Sequence, residues 1–156
     1  MNTENVYYLL NNINEKDKNS IDVWVNDLKT SVKNWLERKN ISEDTIAITD
    51  QADKYEIHFK KFNLRIFCDG CYKLYDSSDN PFGREISYYC YELAFKIFDD
   101  ENKAISVLKL YITHDGYIVE DVHTRGSICK TDHTQLGMRV FDLLLEKLIN
   151  GKYFII

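Results

Sequence analysis

From Ile21 onward the apolar residues recur every three or four positions, so that Ile21, Trp24, Val25, Leu28, Val32, Trp35 and Leu36 share one stripe. Ser20 stands where an N-cap belongs and Asn40 where a helix would stop, which predicts a helix over about 21–39. Val6 to Leu10 offers a short helix before it, interrupted by Asn11, Asn12 and the charged run Glu15 to Lys18.

Beyond Thr45 the period falls to two. Ile46 and Ile48, then Tyr55, Ile57 and Phe59, then Phe62, Leu64, Ile66 and Cys68 alternate with polar neighbours, as half-buried strands do. The phase slips between Phe59 and Phe62, so a bulge or a chain reversal sits near Lys60 and Lys61. Asp69-Gly70 and His114-Asp115-Gly116-Tyr117 are hairpin-turn pairs flanked by strand-like residues, and both predict reversals. Residues 87–98 fit a strand by aromatic content, although Ile86, Cys90, Leu93, Ala94 and Ile97 also trace a helical stripe; strand is favoured. Asp99-Asp100-Glu101-Asn102 then makes a loop into the strand Ile105 to Thr113, whose two apolar faces predict covering on both sides.

Tyr117 to His123 continues as a strand, and a loop from Thr124 to Asp132 leads to a second helix. There Asp132 and Gln135 have capping-box spacing, Leu136, Val140, Phe141, Leu144, Leu145 and Leu148 make one face, and Asn150-Gly151 ends it. Tyr153 to Ile156 is left as an edge strand. The prediction is one α+β domain over residues 1–156: an antiparallel sheet of about five to seven strands, packed against a helix near 21–39 and another near 133–149.

The composition narrows the function. At 156 residues and 44% hydrophobic, the chain suits a single core, and its 20 basic against 25 acidic residues disfavour nucleic acid and anionic membrane surfaces as partners. No apolar run is long enough to span a bilayer, and Met1 to Asn12 lacks a signal-peptide pattern, so a cytoplasmic location is expected. The cysteines Cys68, Cys71, Cys90 and Cys129 are then expected as reduced thiols.

If Asp69-Gly70 is a two-residue turn, Cys68 and Cys71 face each other like a zinc knuckle, and Cys129 with His133, four positions on, would complete a site of three cysteines and a histidine. The other reading is a plain hairpin, and no metal ligand is assigned. Cys129 and His133 with Asp121 or Asp132 offer the residue types of a nucleophile, base and orienter, while His123, His58 and His114 carry no further pattern. P-loop, HExxH, calcium-loop and GxSxG signatures are absent from the sequence.

The stretch from Tyr117 through Arg125-Gly126 and Gln135-Leu136-Gly137-Met138-Arg139 resembles the acyl-CoA-binding core of the GNAT acyltransferases. That resemblance implies a pyrophosphate held at the start of the second helix. Of the family's glycine pattern only Gly137 matches, with Thr134 first and Arg139 last.

Acidic residues gather in predicted loops: Asp99, Asp100 and Glu101, then Glu43 and Asp44, then Asp76 and Asp79. Tyr88, Tyr89 and Tyr91 add a residue type enriched at interfaces. In size, acidity and α+β layout the chain is similar to bacterial toxin-immunity proteins and, more remotely, to type III secretion chaperones. That similarity implies binding to a protein, such as a basic toxin domain. The preferred expectation is therefore a small acidic partner-binding protein, with Asp99, Asp100, Glu101, Tyr88 and Tyr91 as contact residues and no cofactor. The alternative is a GNAT-like acyltransferase.

Overall fold

The computed structural model describes residues 3, 4, 7, 10, 15–51, 54–75, 88–122 and 128–155, leaving aside the side chains of residues 15–17, 75 and 88. Helix α1 (Glu15–Arg38) precedes strands β1 (Ile46–Gln51), β2 (Lys54–Phe59), β3 (Leu64–Tyr75), β4 (Tyr88–Phe98), β5 (Ala104–Thr113), β6 (Tyr117–Val119) and β7 (Cys129–Lys130), and helix α2 (Leu136–Asn150) follows. The seven strands lie side by side in chain order, every pair antiparallel. The α+β prediction and its strand count hold. Among the described residues no helix is long and apolar enough to cross a membrane.

Both helices cover one face of the sheet. Ile21, Val25, Leu28, Val32 and Leu36 of α1 and Leu136, Val140, Phe141, Leu144 and Leu148 of α2 are buried in one cluster with Tyr55, Ile57, Phe59, Ile66, Leu93, Phe95, Leu108, Leu110, Ile112 and Ile118. These strand residues all stand on the same side of the pleat, which is what the period of two requires. The opposite face is largely polar and laced by ion pairs: Arg65 from the neighbouring strand and Lys54 from the same strand hold Glu56, and Lys73 holds Glu92 across strands at 2.7 Å. It carries only a small apolar cluster of Cys90, Val119 and Val122, with Tyr111 and Tyr117 packed on it. The covering expected on both sides of Ile105 to Thr113 is therefore present on one side among the described residues, and Ile105 is exposed.

Helix α1 starts earlier than the capping signal suggested. Ser20 lies inside it, because the charged run Glu15 to Lys18 consists largely of residues that continue a helix readily. Its end is as read: Asn40 takes a left-handed φ of 56°, and the Ile41 N–H reaches back to the Leu36 carbonyl at 3.1 Å. Helix α2 starts later, at Leu136, and Asp132 makes no cap. Instead the Gln135 N–H donates to Nδ1 of His133 at 3.0 Å, so a histidine supplies the acceptor there. At its far end Lys152, not Gly151, adopts the left-handed conformation (φ 58°). Tyr153 and Phe154 then pack on the core without forming a strand, Phe154 meeting Phe59 edge-on at 5.1 Å.

The phase slip near Lys60 is a chain reversal. A short 3-10 turn (Lys60–Phe62) and Asn63, at φ 47°, return the chain so that Phe59 pairs with Leu64. His114 to Tyr117 also reverses the chain, with Gly116 at φ 87°. Residues 88–98 form a strand, as favoured. Of the predicted strand Tyr117 to His123 only Tyr117 to Val119 pairs, and His123 lies outside the described residues with Arg125 and Gly126.

Asp69-Gly70 is not a turn. Strand β3 runs through it, paired with β4 from Phe67 opposite Lys96 to Tyr75 opposite Tyr88. Two tertiary contacts account for this. Asp69 pairs with Lys96 across the strands at 2.9 Å, and the Tyr91 ring lies over Gly70, where a Cβ would come within 2.0 Å of its hydroxyl oxygen. An aromatic ring covering a strand glycine supplies the packing that the glycine lacks.

Candidate functional site

The turn that would have faced Cys68 toward Cys71 does not exist, so the zinc arrangement falls apart. The two residues are three apart on one strand and point to opposite faces. Cys129 is buried in β7, not in a loop, and four strands away, about 19 Å at the usual strand spacing. His133 is engaged as the acceptor before α2. No group of three or more potential metal ligands gathers among the described residues. Nor is Cys129 poised as a nucleophile: burial pushes its thiol up, only partly offset by Arg139.

Gly137 has a packing duty. A Cβ there would stand 2.0 Å from the Ser31 carbonyl oxygen and 2.8 Å from the Val32 nitrogen, so this is where α2 crosses the backbone of α1. The glycine permits that close approach, and the first turn of α2 is pressed against a helix.

The residues singled out for partner contact lie apart. Asp99, Asp100 and Glu101 form the β4–β5 loop, and Asp99 is committed to its shape: one carboxylate oxygen accepts the backbone N–H of Glu101 at 3.0 Å and of Lys103 at 2.8 Å. Asp100 and Glu101 are exposed. The strand order brings Glu43 and Asp44 to the same end of the sheet, but the turn carrying Lys60 and Lys61 lies between the two acidic loops. Asp76 and Asp79 lie outside the described residues, as does the side chain of Tyr88. Tyr91 stands roughly 26 Å along β4 from Asp99, on the helix-covered face.

Tyr91 belongs to a different feature. Strand β2 pairs with β3 only from Phe59 opposite Leu64 to Tyr55 opposite Cys68, whereas β3 continues to Tyr75. Past Cys68, on the β2 side, β3 has no strand partner among the described residues. A cavity of about 540 Å³ opens at this edge, lined by Lys29, Tyr55, Cys68, Asp69, Gly70, Cys71, Tyr91 and three further residues of β4. Lys29 comes from α1, one position off the buried stripe, and its ammonium sits 5.3 Å from the centre of the Tyr55 ring.

The charges in this cleft are mostly cancelled. Asp69 is paired with Lys96, and Glu92 with Lys73, Lys109 lying 4.0 Å from it. Lys29 has no carboxylate partner among the described residues. The hydroxyls remain protonated. Burial pushes the Tyr55 hydroxyl far up, helped by Cys68 and Asp50, and burial likewise raises Tyr91. Burial also pushes the Cys68 thiol up to about 12 despite the nearby Lys29, so it is no nucleophile. Tyr55 is 3% exposed, and its hydroxyl has no hydrogen-bond partner among the described residues. Among the described residues the cleft thus offers an unpaired ammonium, neutral hydroxyls and a stretch of unpaired strand backbone. It has binding chemistry and lacks a base–nucleophile pair among its described residues.

No family model, curated protein or solved structure matches the chain.

Lys29, Tyr55 and Gly70 were not legible as a site. In the sequence Tyr55 reads as one apolar strand position among several, and Lys29 as a charge beside a helical stripe. Only the ending of β2 short of β3 brings them together.

Proposed function

We propose that this chain binds a protein partner and neutralises or escorts it within a reducing compartment such as the cytoplasm, in the manner of toxin-immunity proteins. The open edge of β3 beside Tyr91 carries this reading. An unpaired strand edge supplies a row of backbone donors and acceptors for an extended segment, and flanking tyrosines supply contact area at low entropic cost. A net charge of −5, with Asp100 and Glu101 exposed, favours encounter with a basic partner. The acyltransferase alternative has no comparable support, since the helix crossing already accounts for Gly137.

The test is affinity capture from the host's lysate followed by native mass spectrometry, with wild type and Tyr91→Ala side by side. One polypeptide should be retained in fixed ratio by the wild type and lost by the variant, with circular dichroism confirming that both are folded. Absence of any stoichiometric polypeptide, or its equal retention by both, would overturn the proposal. A bound mass matching CoA would move the assignment to the acyltransferase.

A further inference from the structure

The cleft has a blocked end, and the block determines what fits there. A segment pairing with β3 from Gly70 onward lies in the lane that β2 occupies further along, where Tyr55 stands opposite Cys68 and Lys54 is the next residue, so it runs head-on into Lys54. A chain cannot continue through that point in the plane of the sheet; a segment that stays in the lane ends there. Strand β2 runs antiparallel to β3. A segment of the same direction reaches the block with its C-terminus, and one of the opposite direction would bring its N-terminal ammonium there.

The electrostatics decide between the two. The ammonium of Lys29 is the charge in the lining left without a described counter-charge, because Asp69 and Glu92 are held by Lys96 and Lys73. It repels an N-terminal ammonium and attracts a carboxylate. Tyr91, whose hydroxyl overlies Gly70, and Tyr55, whose buried hydroxyl is unpartnered among the described residues, add neutral donors to the same lining. Asp22 is already occupied by the Tyr72 hydroxyl.

We infer that the cleft receives the C-terminal residues of the protein partner, added antiparallel to β3 from Gly70 onward with the terminal carboxylate on Lys29. This rests on the partner-binding reading and specifies which part of the partner is held.

The probe is a random-peptide library displayed with free C-termini and selected on the full chain. Selected peptides are then synthesised as free acids and as C-terminal amides, and their affinities measured by fluorescence polarisation against wild type and Lys29→Gln. The acids should bind the wild type about tenfold or more tighter than the amides, as the loss of a charge-assisted contact implies. On Lys29→Gln that difference should collapse. Failure of the library to yield binders, equal affinity of acid and amide, or a preference that survives Lys29→Gln would each overturn the inference. If lysate capture still shows a stoichiometric partner in those cases, partner binding stands and only C-terminal recognition falls.

Discussion

Replacing Gly137 by alanine places a methyl carbon 2.0 Å from the Ser31 carbonyl oxygen and 2.3 Å from its carbonyl carbon. Both atoms belong to the backbone of α1, so no rotamer change relieves the overlap. Ordinary contact near 3.4 Å requires the helices to separate locally by about 1.4 Å. A gap of only ~0.5–1 Å already forfeits a quarter to a half of each dispersion contact across it, and Leu28, Val32, Leu136, Val140 and Phe141 all lie in that core. Overpacking of this kind costs roughly 1–3 kcal/mol and occasionally more. The better helix propensity of alanine returns about 1 kcal/mol. Because the clash is with main chain, the cost belongs at the upper end, leaving a net loss of about 2 kcal/mol. For a chain of this length that lowers Tm by about 4–8 °C. Thermal and urea unfolding of wild type and Gly137→Ala would measure it, with an unchanged urea slope showing that stability alone has moved. An unchanged or raised midpoint, the result normal for an ordinary helical glycine, would refute the crossing at Ser31.

Further outcomes follow from the same contacts. Tyr55→Phe removes a buried hydroxyl that has no partner among the described residues, so it should leave stability unchanged or raise it by about 1 kcal/mol; a loss in urea unfolding would mean that the hydroxyl has a partner. Glu56 and Glu92 are pushed up by burial but more strongly down by Arg65 with Lys54 and by Lys73 with Lys109, and the net direction is down. The unfolded chain therefore binds more protons in the window just below the ordinary carboxylate range. This contribution is fully present above about pH 4.3 and is lost as the pH falls below it, a slope that Glu92→Gln should flatten in acid-unfolding curves. Cys71 is the exposed thiol, whereas burial pushes Cys68 and Cys90 up to about 12 and raises Cys129. A thiol-reactive dye should label the native protein fastest at Cys71, more slowly at the half-buried Cys68 and at Cys90 and Cys129 only on unfolding, and labelling of Cys68 as fast as Cys71, read by peptide mass, would contradict its raised thiol. Gly116→Ala puts a side chain at φ 87° and should cost about 1–2 kcal/mol; no change in midpoint would show that the turn relaxes freely.

Local chemistry was legible wherever it had no competitor. The stripe from Ile21 to Leu36, the stop at Asn40, the loop at Asp99 to Asn102 and the reversal at Gly116 each depend on residues within a few positions, and each formed as read. Asp69-Gly70 carries the same local signal as the turn at Gly116 but meets a stronger opponent. The Lys96 ion pair, the Tyr91 ring over the glycine and a ladder to β4 on both sides of it hold the chain extended. With that turn went the cysteine pair that depended on it. Gly137 stood out in the sequence as a match to a phosphate-binding pattern, whereas its packing partner is Ser31, more than a hundred residues earlier, which no local pattern names.

What the sequence by itself determined is the class of fold: two helices and a run of strands, separated by turns, with the apolar faces already chosen by periods of 3.6 and 2. Those preferences act over a few residues and are written where they act. The tertiary structure decided how far each strand extends past its neighbour, and with it the open edge of β3, the blocked lane at Lys54 and the unpaired charge of Lys29. Strand overhang and charge pairing are fixed by contacts between residues distant in the chain, so the candidate site exists only once the sheet is assembled.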